Sequence, residues 1–132
     1  MTPDEAIALS FATLSDLPRT GLTDRLHADD PHLLELARML LPRAIAVRRA
    51  AAPRGIRAVA WNDPQFPSAL LTLPDVPPAL WYRGSPETLD APAVAIVGSR
   101  VASAVAIETA TRLATDLASR GITVVSGLAR GA

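Results

Sequence analysis

The chain has 132 residues, 49% of them apolar, and its 13 acidic side chains balance 13 basic ones, which suits a folded core and excludes a disordered tail. The absence of cysteine excludes disulfides, thiolate zinc centres and cysteine nucleophiles, and two histidines, His27 and His32, leave little material for a metal site. No apolar run approaches the roughly 20 residues that cross a bilayer. Met1 is followed by Thr-Pro-Asp-Glu rather than a basic leader, so the expectation is a soluble, cytoplasmic protein without a secretory signal.

From the amino end, Thr2-Pro3-Asp4-Glu5 has the form of a capping box with proline at the first helical position, and it predicts a helix continuing from Ala6 to Leu14. Gly21 separates it from a short helix over 22–28. Asp30-Pro31 restarts a helix with Leu33, Leu34, Ala37, Leu40 and Leu41 as its apolar side. Pro42 has no N–H to give the helix ladder, so a break or kink is expected there, with a further helix from Arg43 to Ala52. Residues 1–52 thus form a small helical module, marginal by itself at this size.

At Pro53 the pattern changes. Ile56–Ala60 and Ala79–Arg83 read as short strands. The Pro- and Asp-rich stretch between them reads as an ordered loop with a short helix near Ser68–Leu73. Ala93-Val94-Ala95-Ile96-Val97 is a continuous apolar run, the mark of a strand buried on both faces. A helix capped by Ser103 follows to about Arg120, with Ala106, Ala110, Leu113, Ala114 and Leu117 on one side, and Gly121 ends it. Ile122–Val125 is the next buried strand. Residues 53–132 therefore read as α/β with a parallel βαβ unit.

Charge is unevenly distributed, and every basic residue is arginine. Met1 to Glu35 carries two arginines against seven acids, whereas Leu36 to Arg57 carries Arg38, Arg43, Arg48, Arg49, Arg54 and Arg57 with no acid. Two readings follow: an anion-binding face, or an acidic and a basic helix that pack together and neutralise one another.

Ligands on open α/β sheets bind beyond the carboxyl ends of the strands. Both carboxyl ends here carry glycine, small polar residues and an arginine. The first is Gly98-Ser99-Arg100, leading through Val101-Ala102 to Ser103; the second is Ser126-Gly127-Leu128-Ala129-Arg130-Gly131. Glycine lets backbone amides approach an anion, a helix N-terminus favours negative charge, and a guanidinium grips phosphate through two bonds. The chemistry is phosphate recognition, against the plainer reading of turn glycines and solvated arginines. No nucleophile stands beside a base, so no catalytic residue is assigned and the expectation is a non-enzyme that needs no cofactor. Trp61, Phe66, Trp81 and Tyr82 could stack on bases but read better as core.

Ala-Ile-Val-Gly-Ser-Arg (95–100), Ala-Ser (102–103) and Val-Val-Ser-Gly-Leu-Ala-Arg-Gly (124–131) resemble the DNA-processing protein A family, DprA or Smf. Asp63-Pro64-Gln65-Phe66-Pro67-Ser68-Ala69-Leu70 and Pro77-Pro78-Ala79-Leu80-Trp81-Tyr82-Arg83-Gly84 resemble the family's segment leading into its core, and the helical start resembles its SAM-like module. The resemblance implies a SAM-like module over 1–52 and the first part of an extended Rossmann-like domain over 53–132. It also implies single-stranded-DNA binding, protection of incoming DNA in natural transformation, and help in loading the RecA recombinase. Carried over by position, Arg100 would contact phosphate, with Gly98 and Ser99 shaping the pocket. Ser103, Ser126 and Gly127 would add donors, and Arg130 beside Gly131 would be a second basic contact. The full-length family member is expected to be a homodimer, and this chain is expected to be its N-terminal fragment, truncated within the sheet. The competing reading is a Rossmann-like enzyme of the nucleoside-monophosphate phosphoribohydrolase type, whose downstream Pro-Gly-Gly motif this sequence does not contain.

Overall fold

A computed structural model describes residues 1–13, 15–18 and 20–127. The chain divides by contact into two compact units, Met1–Pro86 and Glu87–Ala132. The residue pattern changes at 52/53, whereas contact density changes at 86/87, because the first two strands pack with the helices that precede them.

In the first unit, α1 (Pro3–Leu9) starts with the expected capping box. The Thr2 hydroxyl accepts from the Glu5 N–H at 3.2 Å, and the Thr2 N–H donates to Glu5 Oε2 at 2.8 Å. The helix ends at Leu9 rather than reaching Leu14. The Ser10 hydroxyl donates to the Ile7 carbonyl at 2.7 Å, and Thr13 then turns the chain through bonds of its N–H and hydroxyl to Asp16. Side chains of this small polar type compete with the helix for its own backbone groups. The short α2 (Leu22–His27) begins after Gly21, whose φ of +71° is the left-handed conformation that glycine tolerates.

The third helix, α3 (Pro31–Ala51), is capped by Asp30, whose carboxylate accepts from the His32 and Leu33 N–H groups. It runs unbroken through Pro42, so the expected break and separate helix from Arg43 are corrected to one helix of 21 residues. The reason lies on both sides of the proline. Leu33, Leu36 and Ala37 are buried before it, Ala44 and Ala51 after it, and Pro42 itself is exposed. The Arg38 carbonyl that loses its donor therefore has water to turn to, and the flanking burial holds the axis.

The strands β1 (Ile56–Ala60) and β2 (Ala79–Arg83) pair antiparallel, with Arg57 opposite Tyr82 and Ala60 opposite Ala79. The pleat then sorts the side chains. Ala58, Ala60, Ala79 and Trp81 meet Ala6 and Ile7 of α1 on one face. Val59, Leu80 and Tyr82 meet Phe66 and Val76 of the connecting segment on the other. A third cluster joins Leu9, Leu22, Leu26, Leu33, Leu36 and Ala37 of the three helices. Trp61, Phe66 and Trp81 serve the core, as expected, and Tyr82 packs against it while staying half-exposed. Phe66 is buried, and Trp81 donates its indole N–H to the Ser10 hydroxyl at 2.9 Å while its ring meets Phe11 edge-on. The expected short helix near Ser68 is a 3-10 turn over Ser68–Thr72.

In the second unit, β3 (Ala93–Ala95) and β4 (Thr123–Val125) pair in parallel, joined by α4 (Ala104–Ser119). The βαβ unit is thus present, ending α4 as foreseen at Gly121. The Gly121 N–H donates to the Ala118 carbonyl and the Ile122 N–H to that of Leu117, a Schellman closure with Gly121 at φ +75°. The expectation that these strands are buried on both faces is not met. All three residues of β3 are exposed, Val94 at 42%, and β4 is half-exposed. Among the described residues of this unit there is a single α-helix, and one helix covers at most one face of a sheet.

Two expectations about stability follow. Pro42→Ala restores a helix N–H at an exposed position and should raise the stability of the first unit by about 1–3 kcal/mol in urea titration; a lower midpoint would show that the proline is needed where it stands. The Glu5 carboxyl is held below its ordinary value, first by the Thr2 backbone N–H, with help from the Thr2 hydroxyl and Arg38. A depressed carboxyl contributes stability above its unfolded value, about 4.3, and loses it as pH falls through the folded value. The stability gap between wild type and Glu5→Gln should therefore narrow on acidification from pH 7 to pH 3; a constant gap would refute the capping-box contribution.

Candidate nucleic-acid interface

The parallel pairing brings the two glycine-bearing loops together. Ala95 stands opposite Val125, and the Ile96 N–H donates to the Val125 carbonyl at 2.9 Å, so the chain leaves both strands at one level. Beyond that bond lie Val97-Gly98-Ser99 on one strand and Ser126-Gly127 on the other. Gly98, Ser99 and Ser103 line a cavity of about 410 Å³ together with Val97, Val101, Ala102 and the Ala106, Thr109, Ala110, Leu113 side of α4. Ser126 lines an adjoining cavity of about 320 Å³ that shares Ile96 and Ala110 with the first.

Each polar group has a defined local role. Ser99 Oγ accepts from the Val101 N–H at 3.1 Å, which bends the loop back on itself. Ser103 Oγ accepts from the Ala106 N–H at 3.2 Å and caps α4. Both hydroxyls still have a proton to donate. Ala104 and Val105 keep their N–H groups free among the described hydrogen bonds, at the positive end of a helix of 16 residues. Arg100 is exposed and has no ion-pair partner among the described residues. Gly127 is exposed with nothing within 4 Å of a notional Cβ, so the backbone there is open to a ligand.

The structure thus brings Gly98, Ser99, Ser103, Ser126 and Gly127 into one region at the carboxyl end of the two strands, with Arg100 in the same loop. Arg130 and Gly131 lie outside the described residues. Ala106 and Leu113, which the sequence places on one apolar side of the helix, are exposed, Leu113 at 50%, and line the cavity. Their spacing of seven residues was the available signal, since it identifies a helix face but not what covers it.

The second unit therefore defines a class: a βαβ element whose strand ends, helix N-terminus and arginine suit an anionic ligand. A family model, that of DNA recombination-mediator protein A, matches residues 57–132, and the chain belongs to that family of DNA-processing recombination proteins. The match spans β1 to β4 and both loops. No curated protein matches the chain.

Ser103→Ala should lower the stability of α4 by about 1 kcal/mol, read as faster amide exchange in its first turns, whereas Ser103→Asp should retain it. Equal protection in all three proteins would show that the cap does not hold the helix.

Proposed function

We propose that the chain binds single-stranded DNA at the carboxyl ends of β3 and β4, as part of a non-catalytic mediator that protects incoming strands and helps load the RecA recombinase during transformation and recombination. The observation that carries this reading is the adjacency of the two loops, Gly98-Ser99-Arg100 and Ser126-Gly127, across the Ile96–Val125 bond within the family-matched segment. Backbone N–H groups and serine hydroxyls position a phosphate, and the Arg100 fork neutralises it. No base-edge reader is required, so binding is tolerant of sequence. In this reading residues 1–52 form a SAM-like module, the remainder begins an extended Rossmann-like sheet, and the complete protein is a dimer. The phosphoribohydrolase reading is the weaker, because the family match runs to DNA recombination.

Fluorescence anisotropy with a labelled oligothymidine tests it. Affinity should fall with salt, because each neutralised phosphate releases counterions. Arg100→Ala should weaken binding by about 1–3 kcal/mol, and Ser103→Asp, which keeps the cap but places a carboxylate in the phosphate's position, should weaken it as well. Unchanged affinity in Arg100→Ala would remove that residue from the interface.

A further inference from the structure

The first unit carries a second cationic recess that the loop site does not use. It is an open groove of about 700 Å³ between the carboxyl end of α3 and the β1–β2 hairpin. Arg48, Arg49 and Arg57 line it with one carboxylate, Asp4, and with Gln65 and Tyr82. Asp4 is already committed to Arg48 through an ion pair. Arg49 and Arg57 are exposed and have no acidic partner among the described residues, so two uncompensated guanidiniums face the same space. Arg57 and Tyr82 are directly opposite in the antiparallel register, which sets guanidinium and phenol on one face of the hairpin.

We infer that this groove is a second binding surface for the sugar–phosphate backbone of single-stranded nucleic acid, an inference that shares its ligand with the function proposed above. Three features select that ligand. Two free guanidiniums on separate elements suit successive phosphates rather than one small anion. The half-exposed Tyr82 ring supplies an apolar face beside them, the arrangement on which an unpaired base stacks and for which an acidic peptide has no use. The recess is open to solvent rather than enclosed, so a strand can enter and leave it. Its cations also differ from Arg38, which is paired with Glu5, and from Arg43, which lies over the Phe11 ring, while Arg54 is exposed outside the groove. The alternative of mutual neutralisation between acidic and basic helices accounts for Arg38 and Arg48 but leaves Arg49 and Arg57 without a structural task.

The test uses the whole chain and three variants, Arg49→Ala/Arg57→Ala, Arg100→Ala, and Arg112→Ala/Arg120→Ala as a control with equal charge removed from exposed positions in α4 and at its C-cap. Each is titrated with fluorescein-labelled oligothymidine at several salt concentrations, and thermal melts confirm folding. The groove variant should bind roughly tenfold more weakly and show a salt slope shallower by about 1.4, two single-strand phosphate contacts, with its melt unchanged. The control should stay close to wild type. Unaltered affinity and slope in the groove variant would overturn the groove while leaving the loop reading to stand on Arg100→Ala. A loss in the groove variant with none in Arg100→Ala would do the reverse. A control loss as large as the groove's would mean bulk charge rather than a site, and displacement of the oligonucleotide by an equal charge of oligoglutamate would give the groove to an acidic polypeptide.

Discussion

The site rests on one backbone hydrogen bond in its setting, from the Ile96 N–H to the Val125 carbonyl at the end of a parallel pair. Two parallel strands cannot be joined by a hairpin; the chain must cross over, and here it does so through α4. That topology forces both strands to end at the same edge and starts the crossover helix there too. Glycines, serines, free N–H groups and Arg100 are gathered at this edge by connectivity, not by contacts among themselves. The Ser103 cap and the Gly121 closure then fix where α4 begins and ends, so the loop from Gly98 to Ala102 has a set span to bridge.

The first unit depends on a different constraint, the burial of four consecutive residues of α1. Ala6, Ile7, Ala8 and Leu9 are at most 3% exposed, which is unusual for a helix of seven residues and possible only with partners on opposite sides. Leu9 faces the cluster of α2 and α3, while Ala6 and Ile7 face the hairpin. The small residues matter here: Ala6 against Ala60 and Ala79 lets helix and strands approach closely. A helix this short has little intrinsic stability, so the capping box and the bridges from Asp4 to Arg48 and Glu5 to Arg38 orient it while packing holds it. The same packing draws the carboxyl end of α3 beside β1, and the arginine groove is the space left between them.

Local grammar made much of this legible. The capping box, Asp30-Pro31, Ser103 and Gly121 were readable because each satisfies a specific orphan backbone group, and the four strands because branched and aromatic residues cluster between turn formers. What the sequence could not show was context. Pro42 signals a break, yet burial on both sides of it outweighs one missing hydrogen bond. The apolar run from Ala93 to Val97 signals a doubly covered strand, yet coverage is a property of neighbouring layers, and β3 is exposed. At the site, the residue types and their two-loop spacing were legible, because glycine, serine and arginine at strand ends report on backbone approach and charge. The lining by Ala106 and Leu113 was not, since the same periodicity describes a core face and an open one. The groove was visible only as a run of arginines; its other walls come from Gln65 and Tyr82, distant in sequence.

Net charge of zero bears on how the proposed binding of a polyanion would work. With no overall positive field there is little long-range steering, and attraction must come from a few guanidiniums within a Debye length, about 8 Å at physiological salt. That places a premium on which arginines are free. Arg25, Arg38 and Arg48 are engaged by Asp30, Glu5 and Asp4, and Arg43 lies over an aromatic ring, so they serve the fold. Arg49, Arg54, Arg57, Arg83, Arg100, Arg112 and Arg120 are exposed and without an ion pair among the described residues, and of these Arg49 and Arg57 line one recess while Arg100 stands between Ser99 and Val101, which line another. Arginine suits this economy better than lysine, because its planar fork gains two directed bonds per phosphate and sheds its weaker hydration at lower cost. In the reading proposed above, a neutral protein with arginines so placed holds a phosphate chain at chosen points rather than through its overall field.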